Sequence, residues 1–162
     1  MANEQSRYQV RFGWGVDGAH LVATDADILI WVDADGTGHD IPTVSELPER
    51  PAIVTTDLAT AVVVADWVLA EQLRLERRFA IAVIAAGSTS SPAAYAVEDH
   101  LVAGAVIDRL SELGLDATSP EAAVAEAAYR SLTKAVGHLM TASTGQVSHP
   151  RTIALKVDPH AT

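Results

Sequence analysis

Ile28-Leu29-Ile30-Trp31-Val32 is an unbroken apolar run that stops abruptly at Asp33-Ala34-Asp35-Gly36-Thr37-Gly38. A strand with one wet face alternates apolar and polar residues. A run with no polar member reads instead as a strand buried on both faces, as in a parallel sheet covered by helices. The acidic, glycine-containing stretch that follows is turn chemistry at the carboxyl end of that strand. Residues 80–85 (Ala-Ile-Ala-Val-Ile-Ala) repeat the pattern and end in the small-residue loop Ala86-Gly87-Ser88-Thr89-Ser90-Ser91. Residues 52–55 and 9–12 read as two further strands.

Between and beyond these runs the period changes from two to that of a helix. Leu58, Ala61, Val62, Ala65, Val68 and Leu69 form an apolar stripe that Asp57 is placed to cap, with Arg74, Arg77 and Arg78 at its C-terminal end. A short helix is expected over 16–23. A longer one is expected from Pro92 to about Leu113, stopped by Gly114, and another from Ser119-Pro120-Glu121 to about Ala135, before Gly137. A Ser/Thr-rich turn over 141–145 and a last strand over 153–157 complete the reading. Strands alternating with helices on short connections predict an α/β fold: a mixed, mostly parallel sheet with helices packed on its faces. With no internal repeat and no linker, residues 1–162 read as a single compact domain.

Of the 162 residues, 49% are apolar and 20% charged, as in a globular chain. The formal net charge is −10, which disfavours nucleic acid and anionic membranes as partners. A small phosphorylated acid would therefore need a bound cation or a group of backbone N–H donors to hold it. The absence of cysteine excludes disulfides, thiol nucleophiles and thiolate metal sites. The apolar runs are too short to span a bilayer, and the polar first residues lack a signal-peptide core, so a cytoplasmic location is expected.

Ligands of open α/β sheets gather at the carboxyl ends of the strands. Asp33 and Asp35 lie at one such end, where two carboxylates could hold Mg²⁺, a hard cation that takes oxygen ligands and shares its shell with phosphate; the plain alternative is a polar turn. Gly87, Ser88, Thr89 and Ser90 lie at another, where hydroxyls and N–H groups before a helix suit a phosphate. Against that, Ser91 reads as a simple helix cap and the loop contains no Lys or Arg. Glu98 and Asp99, adjacent in the following helix, point about 100° apart and on spacing alone read as surface acids. The six histidines, His100 among them, show no metal-ligand spacing. Gly36 and Gly38 make no dinucleotide fingerprint, and Val44 stands where a calcium loop needs its bidentate Glu.

Several stretches in collinear order resemble the 2-phosphosulfolactate phosphatase family. They are Arg11-Phe12-Gly13-Trp14-Gly15 with Gly18-Ala19, the strand from Asp27 to Asp33, Ala82-Val83-Ile84-Ala85-Ala86-Gly87, Ala96-Val97-Glu98-Asp99-His100-Leu101, Ala103-Gly104-Ala105-Val106-Ile107, Ser119-Pro120-Glu121-Ala122 and Ala142-Ser143-Thr144-Gly145-Gln146. The resemblance implies Mg²⁺-dependent hydrolysis of a small phosphorylated, sulfonated hydroxy acid in the coenzyme M pathway. It implies Asp33, Glu98 and Asp99 as catalytic residues that hold the metal and activate water; with Asp35 from the strand-end reading, the expected metal ligands are Asp33, Asp35 and Glu98. The chain differs from the family pattern in a shortened stretch between Gly36 and Ala52, in Gly87-Ser88 where Gly-Glu is usual, and in two missing arginines. Two alternatives stand beside this reading. Asp33-Ala34-Asp35-Gly36-Thr37 is similar to the first motif of haloacid dehalogenase-type phosphatases, with Asp33 as nucleophile, Asp35 as acid/base and Thr55 in a second motif. A catalytically inactive, phosphatase-derived protein would instead bind a small ligand or form a homo-oligomer, with Trp14, Trp31 and Trp67 available to its interface.

Overall fold

The computed structural model describes residues 4–35, 42–88 and 95–144. Four strands, β1 (Val10–Trp14), β2 (Ile28–Val32), β3 (Ala52–Thr56) and β4 (Ile81–Ala85), form one sheet in the order β1-β4-β2-β3. All three pairings are parallel, with Ile30 level with Val83 on one side and with Val54 on the other. The expected α/β sandwich is therefore present, and among the described residues its sheet is wholly parallel. The strand expected over 153–157 lies outside the described residues.

Alternation along the strands sorts the core into two layers. Ile28, Ile30, Val32, Ile81 and Val83 point to one face, where Val64, Val68, Val102, Val106 and Leu110 meet them from α2 (Ala61–Arg74) and α3 (Val97–Glu112). Leu29, Trp31, Ala82 and Ile84 point to the other face and pack under Ala19 and Val22 of α1 (Gly15–Val22) and under Leu47. Both faces of β2 and β4 are fully buried, which is why their sequences carry no polar residue. α4 (Pro120–Leu132) and α5 (Val136–Thr144) complete the helical layer.

Close approach at two places depends on glycine. A Cβ on Gly13 would lie 3.1 Å from the Gly18 oxygen, so α1 rests directly on the β1 backbone. A Cβ on Gly104 would fall 2.2 Å from the Ala125 oxygen and 2.7 Å from the Tyr129 Cβ, where α3 and α4 cross. Under α1, the buried guanidinium of Arg11 is held by the carbonyls of Ser6, Tyr8 and Val22 and the carboxylate of Asp25.

Several local expectations shift. α3 begins at Val97, after Ala96 in extended conformation, rather than at Pro92, which lies outside the described residues. Glu98 and Asp99 are thus first-turn residues, where acids favour the helix dipole. α2 begins at Ala61, leaving Leu58 in the preceding turn. Asp57 does not cap α2 itself; its carboxylate takes the N–H and hydroxyl of Thr60 in that turn. α4 ends at Leu132, and a 3₁₀ turn, Thr133–Ala135, leads into α5, so Gly137 sits inside a helix instead of stopping one. Residues 141–144 are the end of α5 rather than a turn: Thr141 satisfies its hydroxyl on the Gly137 carbonyl one turn back, which reconciles it with a helix.

Candidate functional site

The carboxyl ends of β2 and β4 are adjacent, and α3 starts over them. Asp99, in the first turn of α3, reaches down with both carboxylate oxygens. Oδ1 accepts the Ala34 N–H at 2.8 Å, just past β2, and Oδ2 accepts the Gly87 N–H at 2.8 Å, just past β4. Gly87 adopts a φ of 77°, a left-handed conformation that glycine enters without strain and that turns the chain as it leaves β4. One side chain thus ties together two strand ends and a helix start. The ladder is continued by the Ala86 N–H on the Val32 carbonyl (2.8 Å) and the Asp33 N–H on the Thr56 carbonyl (3.1 Å).

Asp99 is 4% exposed and Asp33 6%. Burial, above all, pushes the Asp99 carboxyl up to about 7; the N–H bonds from Ala34 and Gly87 pull it down, and the negative charges of Asp33 and Glu98 add to the rise. The charged groups that bear on Asp99 are therefore both acids. Glu98 is half-buried beside it, and Asp35 is exposed on the turn beyond Ala34. The structure thus brings Asp33, Glu98 and Asp99 into electrostatic contact, with Asp35 on the outer rim.

Gly87 is buried and Ser88 half-buried; Thr89 and Ser90 lie outside the described residues. Since the Gly87 N–H is engaged by Asp99, what this loop can offer a phosphate starts at Ser88. Among the described residues, no three His, Asp or Glu side chains group closely enough to enclose a metal ion. The donors nevertheless suit Mg²⁺ in one respect. They are all oxygen, and Mg²⁺ keeps most of its waters and often takes only one or two carboxylates with substrate phosphate.

Next to this acidic corner, at the end of β1, stands an aromatic cluster that the spacing of the sequence does not show. The His100 ring stacks on Phe12 at 5.6 Å and 16°, and meets Trp14 edge-on at 5.5 Å. Tyr95 lies 5.3 Å from Trp14 and brings its hydroxyl to 3.1 Å from His100 Nδ1. Burial holds the His100 imidazole below the usual histidine range. Trp14 and Ala85 are level in the sheet, so this cluster and the acids occupy the same edge. The available signal was that His100 directly follows Asp99. What hid the cluster was β4 lying between β1 and β2, an adjacency that chain order does not announce.

The arrangement supplies buried acids at strand ends, a carboxyl poised near neutrality, and an aromatic wall with one imidazole. In comparisons with models of known protein families, with curated proteins and with solved structures, the chain matches none.

Proposed function

We propose that the chain is a Mg²⁺-assisted hydrolase of small phosphomonoesters, the chemistry of the 2-phosphosulfolactate phosphatases that its sequence resembles. The observation that carries the reading is the convergence of Asp33 and Glu98 on the buried Asp99 at the carboxyl ends of β2 and β4. Strand ends are where open α/β sheets bind ligands. Three acids there repel a phosphate dianion unless a cation stands between them.

Asp33 and Glu98 would hold Mg²⁺ in this reading, two carboxylates being what the ion often takes alongside substrate phosphate and water; Asp35 lies outside that pair. Bound there, the ion would polarise the phosphoryl group and lower the pKa of a coordinated water. Asp99 acts through its two backbone bonds, fixing Ala34 and Gly87 and so aiming Asp33 and Ser88. The acid titrating near 7 is also the group able to exchange a proton at neutral pH. The aromatic wall of Trp14 and Tyr95 would receive the carbon skeleton of the ester.

The test is hydrolysis of a panel of small phosphomonoesters, 2-phosphosulfolactate included, with Mg²⁺ and with chelator. Turnover should require Mg²⁺, and Asp33→Asn and Glu98→Gln should each abolish it while the circular dichroism spectrum is retained. Undiminished activity in both variants refutes the roles. A second reading, a ligand-binding protein without turnover, is favoured by one observation: both Asp99 oxygens are already committed to backbone N–H groups. It predicts no turnover of any ester in the panel.

A further inference from the structure

The four strands are parallel, so the segments that leave them gather at one end of the sheet. Asp17 follows β1, Asp33 and Asp35 follow β2, Asp57 follows β3, and Glu98 and Asp99 follow β4. Among the described residues these segments hold no Lys or Arg. Arg7, Arg50, Arg77 and Arg78 stand instead in the segments that enter β1, β3 and β4, at the opposite end. The carboxyl end of the sheet therefore carries a negative field. Mg²⁺ answers that field for the phosphate of an ester. A second anion on the same molecule, a sulfonate or a carboxylate, would meet the repulsion with no base on these segments to receive it.

Beside the acids stand two aromatic rings that stay partly open to water. Trp14, the last residue of β1, is half-buried, and Tyr95 is 50% exposed. Their centroids are 5.3 Å apart and their planes are inclined by 46°. The rings behind them are committed to each other, buried Phe12 stacking on His100 at 5.6 Å. Tyr95 is exposed but not loose, because its hydroxyl meets His100 Nδ1 at 3.1 Å. An exposed ring held in one orientation contributes little to the core and is preorganised for a contact from outside. The face of an aromatic ring is the negative part of its quadrupole, and Trp and Tyr are the side chains whose faces best attract a cation. The two rings thus repeat, without a formal charge, the sign of the field around them.

We propose that the alcohol part of the ester carries an alkylammonium group, seated on the faces of Trp14 and Tyr95, while its phosphate lies with Mg²⁺ at Asp33 and Glu98. The phosphate half of this statement rests on the phosphomonoester reading; the ammonium half rests on the rings and the acids alone. A methylated nitrogen suits the seat, since it has no N–H to satisfy and needs only ring faces and a diffuse negative potential. The same field disfavours a sulfonated ester, the substrate that the sequence resemblance implies.

The experiment is titration calorimetry of the full chain without Mg²⁺, using choline and its uncharged isostere in which carbon replaces nitrogen. Choline should bind about tenfold more tightly than the isostere, or better. Tyr95→Leu removes a ring face and should cut that preference to about threefold or less, whereas Tyr95→Phe keeps the face and should keep the preference. Trp14→Leu should act as Tyr95→Leu does; if it fails to fold, the exposed Tyr95 still decides. Equal binding of choline and isostere overturns the proposal. So does sulfolactate bound as tightly as choline, or a preference that survives the leucine variants. Turnover judges the phosphatase reading separately. Ester hydrolysis without a preference for choline sinks this inference alone, and choline binding without turnover of any ester sinks that reading alone.

Discussion

Asp99→Asn is the most informative single change, because it separates what the carboxylate holds from what its charge costs. The amide keeps the shape of the side chain but replaces one acceptor oxygen with an N–H donor. That donor must face the N–H of Ala34 or of Gly87, which are both held at 2.8 Å in the native chain. Losing one such bond and stranding a buried donor costs about 1–3 kcal/mol at any pH. The charge works in the other direction. Folding moves this carboxyl from its ordinary 3.8 to about 7. Between those values the folded state holds more protons than the unfolded state, so stability is greatest in acid and falls as pH rises through 7. The whole effect is about 4 kcal/mol, of which about 3 kcal/mol falls between pH 5 and pH 8.

The variant carries no such titration. At pH 5 it should be the less stable protein, and by pH 8 the gap should close or reverse. Urea unfolding followed by far-ultraviolet circular dichroism at a series of pH values measures both chains directly. Parallel stability curves for the native chain and Asp99→Asn would refute the reasoning, since they would mean that folding leaves the Asp99 carboxyl in its ordinary range.

Other outcomes follow from the same geometry. Gly104→Ala should destabilise the chain by about 3 kcal/mol or more, because its Cβ would meet the backbone oxygen of Ala125 at 2.2 Å and overpacking against backbone is the costly kind; a denaturant midpoint close to the native one would contradict the observed crossing of α3 and α4. The imidazole of His100 should titrate below the ordinary 6.5, since burial disfavours its charged form; a nuclear magnetic resonance titration with its midpoint at or above that value would show the ring to be hydrated. Mg²⁺ should stabilise the chain more at pH 8 than at pH 5, because a cation near Asp33 and Glu98 offsets the repulsion that ionised Asp99 feels; equal shifts at both pH values, or a shift that survives Asp33→Asn, would place the ion elsewhere.

The fold was legible where burial is total. Residues 28–32 and 81–85 have no polar member because helices cover both sides, and a continuous apolar run leaves neither face of a strand fit for water. Helix ends were harder to read. Pro92 looked like a first helical residue, yet α3 starts at Val97, because the start is fixed by Asp99 reaching the strand ends, a tertiary contact with no local signature. Gly137 looked like a stop, yet it lies inside α5, since the burial of Val136 and Met140 against the core outweighs the modest helix penalty of one glycine. Gly13, Gly18 and Gly104, which entered as part of a resemblance, are the positions where backbones come closest.

The acids illustrate what spacing can and cannot say. On helical angles alone Glu98 and Asp99 read as two surface carboxylates, and only the resemblance raised them. In the structure their fates divide: Asp99 is buried and bonded to both strand ends, while Glu98 stays half-exposed. Joining Ala34 to Gly87 needs two acceptors on one side chain, which a lone carboxylate supplies and an amide does not. Burial is the chief cause that pushes Asp99 toward neutrality, and the charges of Asp33 and Glu98 add a smaller rise that joining alone does not need. Those two make the brace weaker at neutral pH, and a corner whose own charges oppose its stability is relieved by a cation or by a proton. Both are what hydrolysis of a phosphate ester requires, so the unfavourable electrostatics of this corner argue for chemistry at the strand ends where the brace alone would argue only for architecture.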